Sequence, residues 1–325
     1  MTRLRPFAPF AALTLVLCAL APKFATAQVT PAAQRAVLVT GASSGLGRKI
    51  TEQLASSGYF VYAGARKPED IAALNAIPNV QGVRLDVTIA GDIAAAVETV
   101  TKGGRGLYGV VNNAGVAIIA PLIEVSESEM EFIFNVNVHG PYRITKAFAP
   151  MLLESRGRVV NISSISGILS GAMLGPYSMT KHAIEAYGDA LANELGRLGV
   201  RVSLIEPGNY RSDIGLNVLA RVPDIDAAVK GSRFEAQLRN SFAAMRSYET
   251  GVEPDSVAAA ALHAIASDNP RMRYMVVPAA NQALATIRKA IDELVQLNEG
   301  HVFSYDRETL IRMLDESIAR TRQRR

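Results

Sequence analysis

Short apolar runs alternate with longer amphipathic stretches along most of the chain. The apolar runs predict strands at residues 36–40, 59–63, 80–85, 108–111, 158–162, 200–205 and 274–277. The intervening stretches show the apolar spacing of helices at residues 69–76, 90–101, 126–154, 177–198 and 254–267. Apolar strands that alternate with helices indicate a parallel sheet covered on both faces. The chain is therefore predicted to be an α/β protein, with a single doubly wound domain of seven parallel strands over residues 33–280.

Two segments depart from this alternation. Residues 210–250 are polar and irregular after the sixth strand. A long insertion at the carboxyl end of a strand is where a substrate loop or lid lies, so we expect one over residues 210–250. Residues 281–325 follow the last strand and predict a C-terminal helical extension of two helices, with a break at Gly300.

Residues 1–27 have the layout of a targeting segment. Two arginines in the first five residues precede a run over residues 10–21 that is apolar except for Thr14, and Ala25-Thr26-Ala27 offers a small-x-small cleavage site. The pattern predicts a signal peptide cleaved before Gln28, and hence an exported, periplasmic protein. The apolar run is short for a membrane span, which needs about 20 residues. The alternatives are an uncleaved anchor, with membrane association through residues 1–27, and a cytoplasmic protein with a misplaced start codon.

Composition and charge exclude several classes of protein. With 49% hydrophobic residues and one cysteine, Cys18, the chain is neither disordered nor stapled by disulfides. Its formal charge of +4 comes from the ends, because residues 1–27 hold three basic residues and residues 320–325 hold four, with no acid in either. The rest of the chain carries −3, which is a poor match for nucleic acid. Four histidines without paired spacing predict no metal site.

A glycine-rich turn follows the first predicted strand and opens a helix that runs to Ser57. It reads Thr-Gly-Ala-Ser-Ser-Gly-Leu-Gly over residues 40–47. Its three glycines allow, in order, a tight turn, the approach of the backbone to a pyrophosphate, and close packing of the helix on the sheet. The free N–H groups of the helix N-terminus then face the phosphates. An ordinary strand–helix turn is the alternative for such a pattern alone. The residues expected to contact a dinucleotide here are Gly41, Ser43, Ser44, Gly45, Leu46 and Gly47.

Further motifs follow in order along the chain. They are Asn112-Asn113-Ala114-Gly115, Asn137 within Asn-Val-Asn-Val-His-Gly, the strand segment 157–164 ending in Ser163-Ser164, Tyr177-x-x-x-Lys181, and Pro207-Gly208. Together with the glycine turn they resemble the short-chain dehydrogenase/reductase family over about residues 33–280. The resemblance implies a Rossmann fold, a nicotinamide dinucleotide cofactor and an oxidoreductase acting on a CH–OH group. Residues 205–208 resemble most the retinol- and hydroxysteroid-dehydrogenase branch.

Four of these residues are predicted to be catalytic: Asn137, Ser164, Tyr177 and Lys181. Hydride transfer requires a proton to move on the alcohol oxygen, and Tyr177 is the candidate acid/base although a tyrosine ordinarily titrates at about 10. Lys181 follows one helical turn later on the same face, where its cation is expected to lower the pKa of Tyr177. By the resemblance, Lys181 also binds the nicotinamide ribose, Ser164 holds the substrate oxygen, and Asn137 anchors a water that relays protons to Lys181. Ser163 is the competing choice, since alternation along the strand points only one of the two serines into the site.

Cofactor choice is predicted from the end of the second strand. An acid there binds the ribose 2′-hydroxyl of NAD, whereas a nearby arginine accommodates the 2′-phosphate of NADP. By the family alignment Ala65 takes the place of the acid and Arg66 follows, so NADP(H) is the preferred cofactor and NAD(H) the alternative. Arg66, with Lys67, would clamp the phosphate, unless both are solvated loop cations. The resemblance assigns the remaining cofactor contacts to Asp86 at the adenine, Asn113, Ala114 and Gly115 near its ribose, and Pro207, Gly208 and Ser212 at the nicotinamide. It also counts Tyr177, with Lys181, among the cofactor-binding residues.

The expected function is the NADP(H)-dependent interconversion of a primary or secondary alcohol and a carbonyl. The apolar stretch 167–174 and apolar positions in the insertion predict a pocket for a small lipophilic alcohol or ketone, with ordinary loop packing as the alternative. Those positions are Leu216, Val218, Leu219 and Val222. The alternative functions are a dinucleotide-binding or sensing module with little turnover, and epimerisation or dehydration by a family member.

The last two predictions concern the oligomeric state of the protein and its export. By the resemblance, the helices predicted at 126–154 and 177–198 form the interface of a homodimer or homotetramer. Export conflicts with the cofactor, because an exported enzyme would meet little NADP outside the cytoplasm. An anchor that leaves the enzyme on the cytoplasmic side would remove the conflict.

Overall fold

The computed structural model describes Met1 and residues 34–323 of the chain. The predicted signal segment, its cleavage site and Cys18 lie outside the described residues. Residues 34–323 belong to one structural unit. No helix among them is both long enough and apolar enough to cross a bilayer.

Seven strands form one parallel sheet, as the alternation of apolar and amphipathic segments predicts. They are β1 (Ala36–Val39), β2 (Phe60–Ala65), β3 (Val80–Arg84), β4 (Gly109–Asn112), β5 (Arg158–Ile162), β6 (Arg201–Pro207) and β7 (Arg273–Val276). Their order in the sheet is β3-β2-β1-β4-β5-β6-β7. Val39 pairs with Ala63 on one side and Val111 on the other, so β1, β2 and β4 end at the same edge of the sheet. Because the strand order reverses between β1 and β4, that edge is where a doubly wound sheet binds ligands.

Helices cover both faces of the sheet and are joined by a C-terminal pair. They are α1 (Gly45–Ser56), α2 (Pro68–Asn75), α3 (Ala90–Lys102), α4 (Glu127–Phe134), α5 (Gly140–Glu154), α6 (Gly175–Gly196), α7 (Ile214–Arg221), α8 (Ile225–Val229), α9 (Glu235–Met245), α10 (Asp255–Ala266), α11 (Ala280–Asn298) and α12 (Arg307–Gln323). Ile50 of α1 and Val257 of α10 pack on one face of the sheet. Ile93 of α3 and Phe148 of α5 pack on the other. This burial on both faces explains why the strands are mostly apolar.

The helix predicted over residues 126–154 is interrupted. A single π-helical turn, Asn135–His139, separates α4 from α5. Such turns insert an extra residue into a helix and are frequent at functional sites. Asn137 lies in the middle of the turn and is buried, so the interruption occurs at a predicted catalytic residue.

The segment predicted to be irregular, residues 210–250, contains three helices instead. Apolar side chains on α7 and α9, among them Val218, Leu238 and Phe242, form a separate cluster with Ala117 and Met173. Burial of these side chains stabilises the segment, since each buried large apolar side chain contributes about 1.5–3 kcal/mol. We call residues 210–250 the lid, because they lie after the carboxyl end of β6.

The C-terminal helices α11 and α12 agree with the predicted extension. Gly300 lies between them with φ of +74°, a conformation that glycine adopts without strain. In α11 the one buried residue is Thr286, and Leu284, Ile287 and Ile291 are about half exposed.

Candidate active site

A cavity of about 510 Å³ opens at the carboxyl ends of β1, β2, β4, β5 and β6. It is lined by all but two of the residues that the sequence predicts to bind cofactor or act in catalysis. These are Gly41, Ser43, Ser44, Gly45, Leu46, Gly47, Arg66, Asp86, Asn113, Ala114, Gly115, Ser164, Tyr177, Lys181, Pro207, Gly208 and Ser212. The exceptions are Asn137, which is buried behind the wall, and Lys67, which is exposed outside it.

The glycine turn has no room for side chains at the positions that the motif requires. A Cβ on Gly47 would lie 2.2 Å from the carbonyl oxygen of Gly41, and a Cβ on Gly41 would lie 2.8 Å from Cα of Ala114. Gly41 and Gly45 also have positive φ, of +64° and +52°. The turn therefore needs glycine for two separate reasons, close backbone approach and left-handed conformation.

Asn113 holds this turn against the end of β4. Its Nδ2 donates hydrogen bonds to the carbonyl oxygens of Thr40 (3.0 Å) and Gly41 (2.9 Å). The backbone N–H groups of Asn113 and Ala114 both donate to Oγ1 of Thr40 at 3.0 Å. The segment predicted to pass near the adenine-side ribose thus also fixes the phosphate turn in place.

The N-terminus of α1 fits a pyrophosphate. Ser44 occupies the N-cap position, but its side chain accepts no hydrogen bond from the helix. The first N–H groups of a helix have no intrahelical partner, and an anion can take the place of the capping side chain. The helix end is uncapped, and the glycine turn beside it (residues 40–47, the glycine cradle) leaves space that a Cβ would fill. A dinucleotide needs this arrangement for its pyrophosphate.

Tyr177, Ser164 and Lys181 meet at the opposite end of the cavity from the glycine turn. Tyr177 and Lys181 lie on α6, and Ser164 lies two residues after the end of β5. Ser164 Oγ accepts from the N–H of Ser166 at 3.1 Å and donates to the carbonyl oxygen of Pro207 at 3.4 Å. It lies close enough to the Tyr177 hydroxyl to lower the pKa of that group. Ser163 Oγ is buried without a hydrogen-bond partner. Of the two candidate serines, Ser164 is therefore the one whose hydroxyl lies beside Tyr177.

The pKa values of Tyr177 and Lys181 both depart from their ordinary values. Burial raises the pKa of Tyr177, and the neighbouring hydroxyl of Ser164 opposes that rise. Lys181 Nζ donates to the carbonyl oxygen of Ile162 at 2.9 Å and lies 5.5 Å from the centroid of the Tyr177 ring. Burial lowers the pKa of Lys181 to about 8. In this arrangement Ser164 lowers the pKa of Tyr177 against the larger effect of burial, and the phenol is protonated at neutral pH.

The side chain of Asn137 makes its hydrogen bonds to other residues of the protein. Its Oδ1 accepts from the N–H of Val116 at 2.8 Å, and its Nδ2 donates to the carbonyl of Val116 (2.9 Å) and to Oγ1 of Thr180 (3.0 Å). These bonds fasten the π-helical turn to the loop after β4 and to α6. Any contact of Asn137 with a relay water would therefore involve its backbone or the remaining lone pair of its amide oxygen.

The rim beside β2 carries the residues predicted to select the cofactor. Ala65 ends β2 and is buried, and Arg66 follows it with an exposed side chain at the cavity wall. Oδ1 of Asp86 accepts from the N–H (2.9 Å) and Oγ1 (2.6 Å) of Thr88, which orients its carboxylate. No carboxylate occupies the end of β2.

The substrate end of the cavity differs from the sequence prediction. The predicted lid positions Leu216, Val218, Leu219 and Val222 do not line it, because they face solvent or the cluster within the lid. Ile214, Asn217, Met245 and Tyr248 line it instead. The Tyr248 hydroxyl donates to Oδ1 of Asn209 at 3.1 Å, which ties the lid to the turn after β6. The helical spacing of Ile214 and Asn217 is a signal that could have found this wall.

The fold, the glycine cradle and the Tyr–Lys–Ser set define a nicotinamide-dinucleotide-dependent oxidoreductase. The profile of the short-chain dehydrogenase family matches residues 35–221, and the chain belongs to the short-chain dehydrogenase/reductase family. It is an alcohol/carbonyl oxidoreductase that uses NAD(P). No cluster of metal ligands occurs among the residues that the structure describes.

Three relatives illustrate the range of the family around this chain. It is 36% identical to the oxidoreductase YbbO of Escherichia coli strain K12, over 75% of this chain and 86% of that one. It is 32% identical to the mitochondrial D-β-hydroxybutyrate dehydrogenase of Rattus norvegicus, over 77% and 78% of the two chains. It is also 32% identical to human retinol dehydrogenase 5, over 76% and 82%.

Two solved structures share the fold over most of their length. A short-chain dehydrogenase from Streptomyces avermitilis superposes with a TM-score of 0.66 and 28% identity, over 84% of this chain and all of that one. A single-substitution variant of the actinorhodin polyketide ketoreductase, solved with NADPH, gives a TM-score of 0.64 and 26% identity, over 77% and 97% of the two chains.

Proposed function

We propose that the chain is an NADP(H)-dependent oxidoreductase that interconverts a lipophilic ketone or aldehyde and the corresponding alcohol. The observation that carries the proposal is one cavity that joins a glycine cradle, the Tyr177–Ser164 hydroxyl pair and an apolar end. Leu169, Leu174 and Met245 supply apolar side chains at that end. One relative is named for retinol, a lipophilic alcohol, and another for hydroxybutyrate, a short polar hydroxy acid. The apolar wall of the cavity favours a lipophilic substrate over a short polar one.

The residues have separate roles in this reaction. Bound NADPH supplies the hydride. Tyr177 and Ser164 hold the carbonyl oxygen of the substrate between their hydroxyl groups, and the protonated phenol of Tyr177 gives its proton to that oxygen. Lys181 supplies a buried cation beside the phenol, which favours the phenolate left after proton transfer. The lid excludes water from the apolar end of the cavity.

A turnover assay tests the function. The purified chain is incubated with NADPH or NADH and a panel of ketones and aldehydes that runs from short hydroxy-acid precursors to retinal and steroid ketones. We expect oxidation of NADPH with the lipophilic members and little with the short polar ones. Binding of NADPH without turnover would indicate the sensing alternative, and consumption of a substrate without oxidation of NADPH would indicate epimerisation or dehydration.

The Arg66→Ala variant tests the cofactor preference. A charge-assisted hydrogen bond contributes about 1.5–3 kcal/mol, so loss of the guanidinium should raise KM for NADPH roughly 10–100-fold and leave KM for NADH nearly unchanged. Lys67→Ala is the matched control: Lys67 is also exposed, but it lies outside the cavity wall and its removal should have the smaller effect. Equal effects of Arg66→Ala on the two cofactors would rule out the NADP assignment.

We further infer a homodimer or homotetramer assembled through α4, α5 and α6. Exposed apolar side chains on the outer faces of α5 and α6, Tyr142, Leu153 and Met179, support this interface. Substitution of all three by serine should then reduce the mass measured by light scattering to that of a smaller species.

Export remains our proposal for residues 1–27, and sequencing the N-terminus of the mature protein tests it. The sequence pattern that supports it predicts Gln28 as the first residue. An intact N-terminus in the membrane fraction would indicate the anchor, and an intact N-terminus in the soluble fraction would indicate the cytoplasmic alternative.

A further inference from the structure

Four charged side chains lie together behind the catalytic helix, where the proposed reaction does not use them. Glu185 and Asp189 belong to α6, Glu206 to β6 and Arg273 to β7. Arg273 Nε lies 3.0 Å from Glu185 Oε2 and 3.4 Å from Glu206 Oε1, and its Nη2 lies 2.8 Å from Asp189 Oδ2. We call these four residues the carboxylate cluster. One cation thus serves three carboxyl groups, so the cluster carries excess negative charge when all three are ionised.

Glu206 is buried, Glu185 is largely buried, and both are incompletely hydrogen-bonded. Glu206 is 3% exposed, and its Oε1 has no hydrogen-bond partner. Oε1 of Glu185 is likewise buried without a partner. Asp189, in contrast, is about half exposed. A buried carboxylate oxygen without a hydrogen-bond partner is costly when charged, so the cluster favours a protonated carboxyl group.

Glu206 titrates near neutral pH in this setting. Burial raises the pKa of Glu206 to about 7, and the charge of Glu185 adds to the rise while Arg273 opposes it. The charged side chains that face Glu206 are Glu185 and Asp189 from α6 and Arg273 from β7. The pair of Glu185 and Glu206 therefore gains a negative charge as the pH rises through neutrality.

The cluster reaches the active site through Glu185. Glu185 follows Lys181 by one helical turn on α6, and its charge raises the pKa of Lys181 against the lowering effect of burial. Lys181 has no carboxylate at ion-pair distance among the described residues, and its Nζ donates to the backbone of Ile162. Gly167 makes room for the glutamate, since a Cβ there would lie 2.8 Å from Glu185 Cγ.

We propose that Glu185 and Glu206 form a coupled carboxyl pair whose charge determines how firmly Lys181 holds its proton. Neither glutamate touches the substrate, so both are positioning residues. The pair is most negative at alkaline pH, which is where Lys181 would otherwise lose its proton. It therefore extends the pH range over which the active site contains a cation. Only the consequence for turnover rests on the proposed function.

Titration of Lys181 in the cofactor-free protein tests the proposal without any turnover. Protein labelled with ¹³C-lysine is titrated by NMR, and the Lys181 Cε signal is assigned by its loss in Lys181→Met. Glu185→Gln should move the Lys181 midpoint to lower pH by about one unit, and Glu206→Gln should move it by less in the same direction. Asp189→Asn is the matched control, because Asp189 contacts the same arginine from its exposed side and should leave the midpoint unchanged.

Two variants keep this test decisive. Glu185→Asp retains the charge and should restore the wild-type midpoint, which a merely structural role of the side chain would not do. If Glu185→Gln does not fold, the titration midpoint of Lys181 in Glu206→Gln is sufficient to test the proposal. An unchanged midpoint in the foldable glutamine variants, or an equal shift in Asp189→Asn, would overturn the proposal.

Urea unfolding across pH gives a second readout. The pKa of Glu206 is higher in the folded than in the unfolded chain, so its contribution to stability is present at low pH and is lost as the pH rises from about 4.5 through about 7. The glutamine in Glu206→Gln has no titrating proton, so the free energy of unfolding of this variant, relative to that of the wild type, should increase between pH 5 and pH 8. A difference in unfolding free energy that stays constant with pH would overturn the role of Glu206.

In an active enzyme Glu185→Gln should also move the alkaline limb of the kcat/KM pH profile to lower pH. Absence of turnover in the wild type would count against the proposed function, but it would not affect the NMR result.

Discussion

Replacement of Tyr177 by phenylalanine is expected to lower kcat by about 10²–10⁴-fold, the range that general acid catalysis contributes. The variant keeps the ring, which packs at the cavity wall, and removes the hydroxyl that lies beside Ser164. Because burial raises the pKa of this phenol, it is protonated at neutral pH and can give its proton to the substrate oxygen in the proposed reaction. The measurement is kcat for NADPH oxidation with the best ketone of the panel, together with NADPH affinity from fluorescence.

Tyr187→Phe is the matched control for this variant. Tyr187 is a half-buried tyrosine on the same helix, but it does not line the cavity, so kcat should stay near wild type. NADPH affinity should change little in either variant, since neither removes a group from the glycine turn. Full turnover by Tyr177→Phe would contradict the assignment of Tyr177 as the acid.

The sheet and its ligand edge could be predicted because their signals are local. A strand buried on both faces is apolar over most of its length, so β1 stands out in the sequence without reference to any other segment. The glycine turn is equally local, since the close approach of Gly47 to Gly41 involves residues of one short segment. Parallel order then brings the motifs after β1, β4 and β5 to one edge.

The π-helical turn could not be predicted in the same way. The apolar positions of α4 and α5 continue across residues 135–139 with helical spacing, so the inserted residue leaves the pattern intact. What distinguishes the turn is its long-range bonding, through the amide of Asn137 to Val116 and Thr180. Such partners are separated in sequence and become neighbours only in the folded chain.

The helices of the lid and the carboxylate cluster were not predicted from the sequence, for opposite reasons. In the lid, charged residues, Pro223 and Gly231 interrupt the apolar positions, which hid the helical spacing of Leu238, Phe242 and Met245. Glu206, in contrast, gave a readable signal, because its carboxylate directly follows residues 200–205, which are predicted to be the sixth strand. A charge at a fully buried strand position implies a partner, and that partner, Arg273, lies on the neighbouring strand β7.

Gly47→Ala is expected to weaken NADPH binding by roughly 10–100-fold, the equivalent of the 1–3 kcal/mol that overpacking of a tight contact costs. The added Cβ would lie 2.2 Å from the carbonyl oxygen of Gly41 and 2.3 Å from Nδ2 of Asn113. Neither neighbour can yield alone, because Asn113 Nδ2 donates to that same oxygen. The turn and the end of β4 must therefore separate, which moves the helix N-terminus away from the phosphates.

Gly91→Ala separates this effect from the general cost of replacing a helical glycine. Gly91 also lies in the first turn of a helix, α3, and a Cβ there would meet nothing within 4 Å. Alanine is the better helix former, so Gly91→Ala should keep wild-type NADPH affinity with equal or slightly higher Tm. Gly47→Ala should lose affinity for NADPH and NADH alike, since the turn serves the pyrophosphate that both share. Wild-type affinity in Gly47→Ala would mean that the cofactor does not bind over this turn, and it would remove the structural basis of the proposed reaction.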